Sequence, residues 1–157
     1  MLYNLRKNVG IIIRNNENKV LIAKRLSKNS IPQDNFWQFP QGGIKNNESS
    51  IDALYREIKE ELNLDPDDFK ILSKTSNWLY YKKKFKKNNI EYTGQKQKWF
   101  LVKLINNDLK KISNYLQNGE NHEFETFKFV PYWFPIHSVI DFKKPVYKKV
   151  LGFFVNI

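Results

Sequence analysis

Residues 42–64, GGIKNNESSIDALYREIKEELNL, place Glu57, Glu60 and Glu61 within little more than one turn of a helix. Residues three and four apart share a helix face, so these carboxylates crowd one another. Like charges at that spacing cost a bare helix a few tenths of a kcal/mol per pair. A divalent cation removes that cost, and Mg²⁺ typically binds through a few carboxylates plus the phosphates of a substrate. The stretch therefore reads as a metal site for phosphate chemistry. Within it, Ile51, Leu54, Tyr55, Ile58 and Leu62 recur at helical spacing and define one apolar face, with the glutamates beside it. Ser49 or Ser50 caps the start. Asn63 is suited to a left-handed stop, and Pro66 bars continuation.

Upstream, residues 9–13 (VGIII) and 19–23 (KVLIA) are short β-branched runs, and the Asn-rich segment 15–18 joins them as a hairpin. Residues 27–35 form a polar loop. Residues 36–39 (FWQF) read as a strand ended by Pro40, and PQGG reads as the loop leading to the helix. Downstream, residues 71–76, 78–81, 98–104 and 127–130 read as strands. The long polar connection 105–125 is helical in part, over 109–116. Pro145 opens a last helix, with Val146, Tyr147, Val150, Leu151 and Phe154 on one face. Two amphipathic helices and one sheet of mixed polarity predict an α/β/α sandwich.

The chain has 157 residues, which predicts a single domain over 1–157. It has no cysteine, so a disulfide framework and a thiolate zinc site are excluded. His122 and His137 stand too far apart for a zinc-ligand pair. No apolar run approaches the roughly eighteen residues of a membrane span, and the N-terminus lacks the pattern of a signal peptide. A cytoplasmic protein is expected. The net charge of +11 attracts polyanions. The block Lys82, Lys83, Lys84, Lys86 and Lys87 reads as a solvated hairpin or loop. Trp37, Trp78, Trp99 and Trp133 lie in strand-like apolar runs and read as core.

Gly42, Glu48, Arg56, Glu57, Ile58, Glu60, Glu61 and Leu64 match the Nudix hydrolase pattern, G-x5-E-x7-R-E-U-x-E-E-x-G-U, with U a bulky apolar residue. One position departs: Asn63 stands where the family has its second glycine, and Asn tolerates the same backbone region. The segments WQFPQGGI (37–44), NWLYY (77–81), GQKQKWFL (94–101) and the tail 132–150 resemble the bacterial RNA pyrophosphohydrolase branch, whereas the block 82–92 is poorly matched.

The resemblance implies a Nudix fold, a mixed sheet in an α/β/α sandwich. It implies a metal-dependent pyrophosphohydrolase that trims the 5′-triphosphate end of RNA to a monophosphate and so promotes message decay. Mg²⁺ is the implied cofactor, with Mn²⁺ or another divalent cation able to substitute. Glu57, Glu60 and Glu61 are the implied metal ligands, with Glu123 (Glu125 its rival) and a backbone carbonyl near Gly42. Either Glu60 or Glu61 takes the proton of the attacking water. Arg56 and Glu48 form a supporting ion pair, and Gly42 and Gly43 are read as allowing the backbone conformation that turns a carbonyl to the metals. Arg6, Arg25, Tyr81, Lys96, Lys98, Phe142 and Lys143 are the candidate residues for the RNA end. The chain is expected to act as a monomer. The alternatives are a diadenosine tetraphosphate hydrolase and an inactive module that binds RNA or nucleotides.

Overall fold

Alternation in the first strand sets the layers. In LRKNVGIIIR, Val9, Ile11 and Ile13 go to one face and Ile12 to the other, as a period of two requires. Both faces are apolar, so both must be covered. The structure is a computed structural model that describes residues 3–25, 37–106, 109–118 and 123–157. The expected loop 27–35, Phe36 and His122 lie outside the described residues.

The strands are β1 (Leu5–Arg14), β2 (Val20–Arg25), β3 (Trp37–Gln38), β4 (Gln41–Gly43), β5 (Phe69–Lys74), β6 (Leu79–Lys87), β7 (Ile90–Leu104) and β8 (Phe124–Val130). The helices are α1 (Ser50–Leu62), α2 (Lys110–Asn118), α3 (Pro135–Ser138) and α4 (Lys144–Phe154). One mixed sheet runs β3-β2-β1-β7-β5, with β4 paired to β1, β6 to β7 and β8 to β2. β1 and β7 are parallel, from Leu5 opposite Gly94 to Arg14 opposite Lys103. The other pairings are antiparallel.

Helix α1 packs on one face through Ala53, Leu54, Ile58 and Leu62, against Ile11, Ile13, Phe100 and Val102, and Ile112 of α2 joins them. Burying each large aliphatic side chain contributes about 1.5–3 kcal/mol. On the other face α4 applies Val146, Tyr147, Val150, Leu151 and Phe154 to Ile12, Trp99 and Leu101. The α/β/α sandwich is therefore as expected. Trp99 lies flat against the sheet because Gly10 has no side chain; a Cβ there would stand 2.5 Å from the indole.

Several expectations need correction. PQGG is not only a loop: Gln41–Gly43 is a short strand, since Asn8–Gly10 of β1 offers it an edge to pair with. Ile51 and Tyr55 are exposed, 42% and 37%, because the apolar stripe of α1 is narrower than its sequence suggests. Ala53 and Glu57 take the places turned inward, so Glu57 lies within the buried face rather than beside it. Trp133 is exposed in the turn before the unanticipated α3, and Trp78 is half-buried beneath lysines, so neither is core. The lysine block is the hairpin of β6 and β7, turned at Asn88 and Asn89, which both hold a positive φ. The end signals of α1 hold: Ser49 Oγ accepts from the Asp52 N–H at 3.1 Å, and Asn63 stands at φ 54°.

Candidate active site

Strand β4 brings Gly42 and Gly43 beside α1, pairing Gly42 with Val9 and Gly43 with Asn8. Neither glycine has a positive φ, so conformational freedom is not why glycine stands there. Space is the reason. A Cβ on Gly42 would lie 1.8 Å from the carboxyl carbon of Glu57, and one on Gly43 would lie 2.0 Å from the Arg6 guanidinium.

Arg56 organises the loop between β4 and α1. Its Nε donates to Glu48 Oε1 at 2.7 Å and its Nη2 to Glu48 Oε2 at 2.9 Å, a bidentate pair. Nη2 also donates to the Gly43 carbonyl at 2.7 Å, and Nη1 to Glu57 Oε1 at 2.7 Å and Glu60 Oε2 at 3.1 Å. Glu48 Oε2 accepts further from the Lys45 N–H at 2.9 Å. The Arg56 hydrogen bonds hold the Glu48 carboxyl down at about 2.

Glu57, Glu60, Glu61 and Glu123 line one cavity of about 710 Å³. Burial pushes the Glu57 carboxyl up. Burial, then the nearby charges of Glu123, Glu57 and Glu60, push the Glu61 carboxyl up to about 7. Glu123 has Arg25 Nη2 at 3.6 Å. Its rival Glu125 faces Lys24 at 4.0 Å and is not among the described residues lining the cavity. Among the described residues no three acidic or histidine side chains already converge as a metal cage. Glu57 and Glu60 lean to Arg56, and Glu123 to Arg25. The donors are all oxygen, the set that suits Mg²⁺ or Mn²⁺ rather than zinc.

The candidates for the RNA end fall into three places. Arg6 and Arg25 line the acidic cavity. Tyr81, Phe142 and Lys143 pack together: the Tyr81 and Phe142 rings are 5.2 Å apart, and Lys143 Nζ lies 5.8 Å from the Tyr81 ring. Tyr81 and Lys143 are buried, and Lys143 Nζ donates to Gln38 Oε1 at 3.0 Å. Burial holds the Lys143 ammonium down at about 8 and raises the Tyr81 hydroxyl to about 12. Lys96 and Lys98 lie over Trp78, at 5.3 and 5.1 Å from the ring centre, and Lys98 also bonds the Ser76 carbonyl.

Two features went unread in the sequence. A buried amide cluster joins the strands under the cavity: Gln97 Nε2 donates to Asn8 Oδ1 at 3.0 Å and to Gln41 Oε1 at 3.1 Å. Gln95 beside it is buried and lines the cavity. The signal was the alternation of Gln95 and Gln97 in a strand that ends apolar. The second feature is the lysine hairpin, whose Phe85, Lys87, Ile90 and Tyr92 wall the same cavity. Phe85 and Tyr92 stack across its strands at 5.2 Å.

A family profile described as NUDIX domain matches residues 4–152. The chain is 43% identical over 158 residues to the RNA pyrophosphohydrolase of Pasteurella multocida, covering 97% of this chain and 74% of that one. It is 45% identical over 150 residues to the RNA pyrophosphohydrolase of Histophilus somni, covering 93% and 73%. Among solved structures it is similar to a C. elegans Ap4A hydrolase (TM-score 0.65, 19% identity, 98% and 100% covered). It is also similar to the E. coli dihydroneopterin triphosphate pyrophosphohydrolase (TM-score 0.69, 16% identity, both chains fully covered). At these identities the structures speak for the fold alone. No helix among the described residues is long and apolar enough to cross a membrane.

Proposed function

The chain belongs to the Nudix hydrolase family, whose substrates carry phosphoanhydride bonds, and from that premise we propose that it hydrolyses the 5′-triphosphate end of RNA to a 5′-monophosphate. The observation that carries this reading is the 43% identity to an RNA pyrophosphohydrolase across 97% of the chain. The cavity supports it: acids on its floor suit cations that hold phosphates, and Arg6 and Arg25 on its wall suit the phosphates themselves.

Glu57, Glu60, Glu61 and Glu123, with the backbone carbonyl of Gly42, would hold Mg²⁺, for which Mn²⁺ can stand in. The acids share one cavity, and the charges of Glu123, Glu57 and Glu60 add to burial in lifting the Glu61 carboxyl, so the donor set fits such an ion. When bound, a divalent cation offsets phosphate charge and makes a water a stronger nucleophile at neutral pH. Water attacks a phosphorus of the triphosphate chain, the phosphoanhydride P–O bond breaks, and a carboxylate of Glu60 or Glu61 takes the water's proton. Arg56 keeps Glu57 aimed by pinning it to Glu48 and Gly43. Arg6 and Arg25 bind the phosphates. Phe142 offers a ring to a base, Tyr81 and Lys143 support it from behind, and Lys96 and Lys98 steady Trp78. The whole chain acts as one Nudix domain, as a cytoplasmic monomer, with message decay as the consequence.

End-labelled triphosphate RNA and diadenosine tetraphosphate, assayed side by side at matched Mg²⁺, test the reading. RNA is expected to show the higher kcat/KM, with product abolished by EDTA. A large preference for the dinucleotide would overturn the substrate assignment. RNA binding that persists with no turnover would mark an inactive module.

A further inference from the structure

The last turn of α1 carries Glu60 and Glu61. A helix is weakest there, because the carbonyls of its final turn lack intrahelical donors and helix ends open first. The acids add to the difficulty. Glu57, Glu60, Glu61 and Glu123 line one cavity, and like charges held together push one another apart. Arg56 restrains the Glu57 and Glu60 carboxylates through their side chains. The backbone beneath them needs a support of its own.

That support comes from α2. Tyr115, half-buried, donates from its Oη to the Glu60 carbonyl at 2.5 Å, a donor brought to the end of α1 from outside the helix. Two further contacts seat α2 against the same end of α1. Ile112 is fully buried in the core cluster that includes Ile58 and Leu62. Lys111 Nζ lies 2.7 Å from Asp65 Oδ2 and 2.7 Å from Asp68 Oδ2, just past α1, and Lys59 reaches Asp65 at 2.8 Å. In the sequence Glu123 follows α2 closely, immediately before β8. Helix α2 therefore grips the turn that bears Glu60 and Glu61 and leads on to Glu123.

We propose that Tyr115 is a positioning residue for the cation site: by holding the Glu60 carbonyl it fixes the last turn of α1, and with it the placing of Glu60 and Glu61 relative to Glu123. The proposal rests on the reading of these acids as the holders of a divalent cation. It gives α2, which carries none of the candidate site residues, a part in setting cation affinity. Groups that orient metal ligands from one step behind tune affinity in this way.

The test titrates Mn²⁺ into the wild type, Tyr115→Phe and Lys111→Met, with no nucleotide present, and reads free Mn²⁺ from its paramagnetic resonance signal. Tyr115→Phe keeps the ring and removes only the hydroxyl, so the fold is spared. It should weaken Mn²⁺ binding about fivefold, the worth of one net hydrogen bond. Lys111→Met loosens α2 at its other contact and leaves the Glu60 carbonyl held, so its Mn²⁺ affinity should match the wild type. Turnover of triphosphate RNA by Tyr115→Phe should fall at limiting Mg²⁺ and recover at saturating Mg²⁺. An equal loss of Mn²⁺ affinity in both variants overturns the proposal, since the docking of α2 as a whole is then the cause. So does a loss of turnover that persists at saturating Mg²⁺. A wild type that takes up no Mn²⁺ overturns the cation reading of the acids and the proposal together. A wild type that binds Mn²⁺ no more tightly than Tyr115→Phe overturns the proposal alone, even where that variant unfolds at lower urea.

Discussion

Arg56 sits in a ring of acceptors, whereas Glu61, little more than a turn further along α1, sits among groups of its own sign. Around Arg56, every hydrogen bond pairs opposite charges or a charge with a carbonyl, and Glu48 is held ionised far below the usual carboxylate range. Around Glu61, burial and three other carboxylates oppose ionisation. The same short helix thus carries a satisfied region and a frustrated one. The satisfied region keeps shape without help. The frustrated one costs stability, and it repays that cost only when something positive or a proton joins it. Function is to be sought where the fold is least content.

The sharpest way to break this contrast is at the acids. Glu57→Gln should lower kcat by about 10³-fold, within the range removed with single catalytic groups, while circular dichroism and Tm stay near wild type. A comparable loss with a collapsed Tm would move Glu57 to the structural side. Arg56→Lys should lower kcat/KM by about 10- to 100-fold and reduce Tm as well, because an ammonium cannot reproduce the bidentate fork that spans Glu48, Glu57 and Gly43. Full activity in that variant would show that the ring of acceptors is dispensable. Gly42→Ala should cost about 1–3 kcal/mol in urea unfolding and a larger share of activity, since the added methyl meets Glu57 itself.

A subtler handle is Lys143. Its folded-state pKa of about 8 lies below the 10.5 of an unfolded lysine, so below pH 8 it is charged in both states and its burial costs stability. Between about pH 8 and 10.5 the unfolded chain binds more protons, and stability should rise with pH through this group. Buried Tyr81 and half-buried Tyr132, raised to about 12, act oppositely above pH 10. The measurement is therefore the difference in urea stability between the wild type and Lys143→Met across pH 7–10; a difference that is flat with pH would place Lys143 in contact with solvent. The smallest effect is expected at Asn63→Ala, a loss of about 1 kcal/mol, because Asn63 holds φ 54° and alanine tolerates that region less well.

Much of the site was legible before any coordinates. The spacing of Glu48, Arg56, Glu57, Glu60 and Glu61 is helical arithmetic, and periodicity and capping are local properties of a chain. The same locality explains the correct layers. Residues such as Ile11, Ile12 and Ile13 announce a strand buried on both sides, and such a strand needs helices above and below it. The errors are all non-local. Gln41–Gly43 of PQGG became a strand because Asn8 to Gly10, distant in the chain, offered it an edge. Ile51 stays exposed, and Tyr55 meets only the edge of the core through the Phe69 ring at 5.5 Å, because distant segments cover the helix elsewhere. Gly42 and Gly43 were read as giving the backbone conformational freedom and prove to be gaps, since the atoms that need the room belong to Glu57 and Arg6.

Which candidates share a cavity was beyond any reading of order along the chain. Arg6, Arg25 and Glu123 meet the acids because β1, β2 and the approach to β8 are neighbours in the sheet, whereas Lys96 and Lys98 project to Trp78 instead. The poorly matched lysine block turned out to be a wall because β6 and β7 run on past the sheet beside α1. Residue types and their short-range spacing declare what chemistry a chain is equipped for, since helices and turns are built from near neighbours. Where that chemistry is gathered, and which charges are left unpaired to perform it, follows from contacts between segments far apart, and those exist only once the sheet has brought its strands together.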